Sequence, residues 1–261
     1  MQLRNLIIRH ILAASVLTIV SGYSAAKAAY ENLWTAGHGD MAIHYDLANN
    51  FLGLGYELGD NAVINGVPLG VTTEVEADYL TAIVPDAPFA RKDGGVAGLP
   101  GVFASNTFWN IPQTNPGANP VPFVGIGAEE IQPGIFLQDQ LSLSLKSVVQ
   151  APAGGQFIIY RTGLGAPTTY IDTQNLGSTN LITVNAGSHG HYNFGFSVPG
   201  AYLLEFEAMG TLIGGGTTTG SAVYAFNVVP EPASWVSMSL ALVSIGAARR
   251  WRKGKLAASR S

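Results

Sequence analysis

The histidines of the region 29–229 fall in two short clusters. His38 and Asp40 are separated by one glycine, with His44 following closely, and His189 and His191 are separated by another glycine. On an extended strand, residues i and i+2 project from the same face. Each cluster therefore presents two donor groups side by side, and each is half of a metal site. If the first strand lies beside the segment carrying His189 and His191, the halves meet as three imidazoles with a carboxylate, or as two imidazoles with a carboxylate and water. Such a set suits zinc, whose tetrahedral sites take imidazole nitrogen and carboxylate oxygen without thiolate. His38, Asp40, His189 and His191 are the candidate ligands, and His44 is a further candidate. The competing reading is that these histidines sit at the surface and hydrogen-bond turns.

Composition narrows the chemistry further. The chain has 261 residues and no cysteine, so disulfides, thiolate metal sites and a thiol nucleophile are excluded. Sixteen of the 17 acidic residues lie between Ala29 and Val229, against only Arg91, Lys92, Lys146 and Arg161, so a chain of formal charge −4 contains a body of −12. Phosphate binding needs clustered Lys and Arg, and nucleic acid is therefore not a partner. The chain reads as a non-enzyme. It has no H-E-x-x-H and no G-x-S-x-G, and Ser188 beside His189 would point to the opposite face of a strand. Glu129-Glu130 reads as a solvated acidic face, and Glu74, Glu76 and Asp78 as one strand face, a weak cation patch at most.

The elements that must position these residues are strands. Glycine and proline recur throughout, no window sustains a long 3.6-residue apolar period, and strand-like segments cover 41–47, 51–58, 79–84, 140–149, 156–161, 180–185, 192–198, 201–208 and 222–228. In Leu141-Ser142-Leu143-Ser144-Leu145 the leucines share one face, as in a half-buried antiparallel strand. This pattern predicts an all-β fold, an antiparallel β-sandwich of immunoglobulin-like or jelly-roll-like type, forming one domain over 29–229. The Pro/Gly/Asn-rich stretch 98–122 carries Phe103, Phe108 and Trp109 and reads as a long excursion packed on the same core. The glycine-rich run 214–220 reads as a hairpin loop. Pro199-Gly200 predicts a hairpin between 192–197 and 202–207, with Tyr202, Leu204 and Phe206 joining Phe194 and Phe196 in the core. Its outer face would then carry His189, His191, Glu205 and Glu207 together.

Both ends read as addresses. Arg4 and Arg9, the apolar run 11–20 and Ala26-Lys27-Ala28 have the order of a secretory signal peptide over 1–28, with an uncleaved anchor helix as the alternative. At the other end, Pro230-Glu231-Pro232 precedes an apolar run and then Arg249, Arg250, Arg252 and Lys253. A short transmembrane helix over about 233–248 is expected, below the roughly 20 residues of a full span. The basic tail would hold the C-terminus in the cytoplasm.

This order of motif, apolar helix and basic tail over 230–255 resembles the PEP-CTERM sorting signal of Gram-negative bacteria, with Pro230, Glu231 and Pro232 as the motif. The resemblance implies export through the Sec machinery, cleavage by signal peptidase, a transient inner-membrane intermediate, and processing by an exosortase that moves the body to the cell surface. An ordinary tail anchor is the alternative. In the body, Gly37-His38-Gly39-Asp40, the segment from Leu99-Pro100-Gly101 to Trp109-x-Ile111-Pro112-Gln113, and the run from Ser188-His189-Gly190-His191 through Pro199-Gly200-Ala201-Tyr202 are similar to the choice-of-anchor M surface domain. That resemblance implies zinc-linked surface biology, through a PEP-CTERM-tailed group associated with the zinc uptake regulator, and supplies no established ligands. The expectation is an exported surface protein that binds zinc or a similar divalent cation in metal acquisition or buffering, with metal-uptake components as partners. The alternative is a structural or adhesive protein of the envelope or exopolysaccharide matrix.

Overall fold

Period-two alternation builds the long strands. Leu141, Leu143 and Leu145 are buried, as are Tyr202, Leu204, Phe206 and Ala208, while the residues between them face outward. The structure is a computed structural model that describes residues 30–176 and 180–229. The expected signal peptide (1–28), the sorting segment (230–255) and its helix (233–248) lie outside the described residues. Among the described residues, no helix is long and apolar enough to cross a membrane.

In chain order the strands are β1 (Asn32–Asp46), β2 (Phe51–Leu58), β3 (Val63–Ile64), β4 (Val67–Pro68), β5 (Thr73–Glu76), β6 (Leu80–Pro85), β7 (Arg91–Lys92), β8 (Phe108–Ile111), β9 (Pro122–Gly127), β10 (Phe136–Gln150), β11 (Phe157–Arg161), β12 (Thr168–Asp172), β13 (Leu181–Asn185), β14 (His189–His191), β15 (Asn193–Phe196), β16 (Gly200–Leu212) and β17 (Thr217–Val229). Helical structure among the described residues is limited to the 3₁₀ turns Ala77–Tyr79 and Gly101–Ala104. The fold is all-β.

Two sheets pack face to face. A 12-stranded sheet has the main order β13-β10-β16-β17-β6-β1-β2-β5, with β9 and β14 joined to it beside β1, and a five-stranded sheet has the order β12-β11-β15-β8-β7. Aromatic rings join them: Phe157 of β11 lies 6.3 Å from Phe206 of β16 and 6.1 Å from Phe226 of β17, and Phe196 of β15 lies 5.3 Å from Phe226. Trp34, Tyr56 and Tyr224 continue the same core under the larger sheet. Most pairings are antiparallel, as the short alternating strands predict. Three are parallel, β1 with β6, β1 with β9 and β6 with β17, and each needs a long crossover between non-consecutive strands.

Three sequence expectations are corrected. Pro199-Gly200 does not close a hairpin: β15 pairs with β11 and β8 in the smaller sheet, whereas β16 pairs with β10 and β17 in the larger one. The chain uses this corner to change sheets, and Tyr202 Oη pins it by donating to the Val198 carbonyl at 2.8 Å. As a result Glu205 and Glu207 pair with Lys146, at 3.2 and 3.4 Å, instead of flanking the histidines. The excursion 98–122 does not pack only on the main core either. Leu99, Phe103 and Phe108 form a second cluster with Ile158 and Tyr160 on the other side of the five-stranded sheet.

β1 is the strand that reaches the site. Its first residues pair with β6, and it then bends at Gly37 to pair with β2 and β9. Gly37 has φ of +81° and a Cβ there would lie 2.0 Å from the Asn61 carbonyl oxygen, so only glycine fits the bend.

Candidate metal centre

The outer face of β14, β9, β1, β2 and β5 carries the chemistry. Register places His191 opposite Gly125, Gly125 opposite Asp40, Asp40 opposite Glu57 and Glu57 opposite Glu74. One row further along, His189 is opposite Gly127, and Gly127 is opposite Ala42. Residues in register share a face, while Met41, Ile43, Val124 and Ile126 point into the core beneath. Thus β1 and β14 do not pair directly; β9 lies between them, and its two glycines leave room above for the side chains of both neighbours to meet. A Cβ on Gly125 would lie 1.9 Å from Asp40 Oδ1 and 3.1 Å from His191 Cε1, and one on Gly127 would lie 3.1 Å from the His189 Cβ.

Over this gap three imidazoles converge. Ring centroids of His38 and His191 are 5.1 Å apart, His189 and His191 5.3 Å, and His38 and His189 6.1 Å. His38, His189 and His191 each offer a ring nitrogen within 4.8 Å of the others. Asp40, Glu129 and His189 form an overlapping set under the same limit, sharing His189. The structure therefore brings His38, His189 and His191 into one group, with Asp40 alongside: its Oδ2 is 3.6 Å from His38 Nε2. His44 falls elsewhere, with Glu74 and Glu130.

The surroundings hold these groups in place. Phe123 of β9 stacks on His191, with ring centroids 3.8 Å apart and planes 5° from parallel. Arg161 Nε donates to the His191 carbonyl at 2.8 Å while its guanidinium lies 4.2 Å over the Tyr192 ring, at the point where the chain crosses from β14 to β15. Glu129 Oε1 is 2.7 Å from His189 Nδ1. A carboxylate only accepts, so Nδ1 donates to it, the arrangement by which a second carboxylate orients a metal-binding histidine.

Electrostatics favour a cation in the same place. His191 is held well below the ordinary imidazole value, to about 4, first by burial and then by His38, so it is neutral at pH 7 with a free lone pair. Its Nδ1 is buried without a hydrogen bond. Asp40 is 2% exposed and its Oδ1 has no hydrogen-bond partner. Burial raises the Asp40 carboxyl, and the nearby His38 and His189 oppose that rise. A buried unpaired carboxylate oxygen is costly unless something positive meets it. Three imidazole nitrogens with flanking carboxylates make a donor set for zinc and neighbouring divalent transition metals.

Two participants escaped the sequence reading. Glu129 read as a solvated acid, and β9 was not recognised as a strand. The signal available was Gly125-x-Gly127, an alternation that leaves one strand face bare, with Glu129-Glu130 one residue further on. No model of a known protein family matches this chain, and a search among curated proteins finds no match to it.

Proposed function

We propose that this is an exported surface protein that binds zinc or a similar divalent cation through His38, His189 and His191, with Asp40 and Glu129 supporting, and that it serves metal capture or buffering rather than catalysis. The observation that carries the reading is the convergence of three imidazoles, from strands some 150 positions apart in sequence, over two glycines of β9 and beside a buried carboxylate oxygen that no hydrogen bond among the described residues satisfies. Export rests on the terminal segments of the sequence: a signal peptide over 1–28, and Pro230, Glu231 and Pro232 followed by an apolar run and a basic tail. On the PEP-CTERM resemblance, an exosortase processes the tail and the body reaches the surface, where metal-uptake components are the natural recipients of its cargo. The acidic body suits this role, because it concentrates cations near the outer face.

Calorimetric titration of the chain with zinc tests the reading. One ion bound per chain is expected, with the heat lost in His189→Ala and His191→Ala variants that still melt cooperatively. Unchanged heats in both variants would sink the site.

A further inference from the structure

A second group of donors stands on the same outer face. His44 of β1, Glu74 of β5 and Glu130 of the turn after β9 bring ligand atoms within 4.8 Å of one another, and His44 Nδ1 is 3.2 Å from Glu130 Oε2. This group is more open to solvent than the three-histidine centre: Glu74 and Glu130 are both exposed, whereas there His189 alone is. Two features join it to the first site. The adjacent residues Glu129 and Glu130 divide between them, Glu129 reaching His189 and Glu130 reaching His44. The carboxylates Asp40, Glu57 and Glu74 also stand directly opposite one another on three neighbouring strands.

That row is unfavourable by itself. Like charges in register across strands repel, and strand spacing puts Asp40 and Glu74 only about 10 Å apart. Histidines at its two ends offset it in part, His38 and His189 at Asp40 and His44 at Glu74, but no lysine or arginine among the described residues does: Lys146 is engaged with Glu205 and Glu207, Arg91 with Asp86 and Asp93, Arg161 with Tyr192 and the His191 carbonyl, and Lys92 lies on β7 of the other sheet. At its inner end the row terminates in Asp40, whose buried Oδ1 lies over Gly125 toward His191 with no hydrogen-bond partner. A chain of acids running from solvent to an unsatisfied buried oxygen beside three imidazoles has the form of a path for a cation.

We propose that His44, Glu74 and Glu130 form an outer position that takes up a hydrated divalent cation and passes it, by way of Glu57 and Asp40, to the centre at His38, His189 and His191. The delivery step rests on the inner site binding metal as proposed above; occupancy of the outer position does not. The outer group offers mostly carboxylate oxygen and no enclosure, which suits weak, rapidly exchanging binding in the range of about 0.1–1 mM. The inner group, richer in nitrogen and better buried, retains the ion.

Two measurements on the full-length chain separate these statements. The first uses Mn(II), which favours oxygen donors, and reads binding by water-proton relaxation. Wild type and His189→Ala should both bind Mn(II) weakly, and a Glu74→Gln/Glu130→Gln double variant should not. Mn(II) binding indifferent to the double substitution would overturn the outer position, whatever the inner site does. The second measurement follows Co(II) loading by its visible absorption in a stopped-flow instrument. The double variant should reach the wild-type spectrum and affinity, but about tenfold more slowly at low ionic strength and with a flatter salt dependence. An unchanged loading rate, or no histidine-dependent Co(II) spectrum in wild type, would overturn delivery, and only the latter result would also count against the inner site.

Discussion

Replacing Asp40 by Asn separates stability from function at the candidate centre. The side chain is 2% exposed, and one of its oxygens is buried with no partner. An unsatisfied buried polar group costs about 1–3 kcal/mol, and more when charged. Asn keeps the shape and removes the charge, so the metal-free variant should gain about 1–2 kcal/mol at pH 7, a rise in melting temperature of about 2–8 °C for a domain of this size. Zinc should act in the opposite sense. At a concentration 100 times the wild-type Kd it stabilises wild type by about 2.7 kcal/mol, and a tenfold loss of affinity in the variant about halves that increment. The pH dependence follows from the raised Asp40 carboxyl. A group whose folded pKa exceeds its unfolded value favours the fold below the unfolded pKa and loses that contribution as pH rises through the folded one. The advantage of Asn should therefore shrink as pH falls through the raised pKa toward the ordinary value of 3.8. Differential scanning calorimetry with chelator, and again with zinc, reads both quantities. A metal-free variant that melts below wild type, or a zinc increment that is unchanged, would refute the assignment of Asp40 as an oxygen waiting for a cation.

Further outcomes follow from neighbouring residues. Glu129→Gln leaves the three imidazoles in place but weakens the hold on His189 Nδ1, and zinc affinity should fall about 10- to 100-fold in a competition titration. Gly125→Ala places a methyl group on Asp40 Oδ1, and zinc binding should be lost in calorimetry while far-ultraviolet circular dichroism keeps its β signature. In the metal-free protein His191 should titrate with a midpoint near 4 in proton NMR, because burial and His38 disfavour its cation; an ordinary imidazole midpoint would contradict the packing under Phe123.

Legibility in the sequence was uneven for physical reasons. The leucine alternation at 141–145 disclosed a half-buried strand because one face meets core and the other water. The spacing of His38 with Asp40 and of His189 with His191 disclosed shared faces for the same reason. What joins the two pairs was hidden. β9 has glycine where an outward side chain would normally advertise a strand, because His189, His191 and Asp40 on the flanking strands occupy that space. The corner at Pro199-Gly200 misled differently. A tight-turn dipeptide fixes local backbone direction, but which sheet receives the next strand is decided by Tyr202, Phe196 and the aromatic packing around them, which no local pattern encodes. Glu205 and Glu207 lie on β16, several strands away from β14 in the same larger sheet, and so face Lys146 rather than the histidines.

The position of β17 carries a mechanical consequence. This last strand is interior: it is paired antiparallel with β16 from Gly200 to Thr211 on one side and parallel with β6 up to Pro85 on the other. The opposite end of the body is tied to the same neighbour, for Tyr30 bonds to Thr81 of β6. Tension applied beyond Val229 therefore acts along a strand clamped on both edges, so the ladders must yield together in shear instead of opening one hydrogen bond at a time. A body tethered at that point would withstand drag far better than one hung from an edge strand.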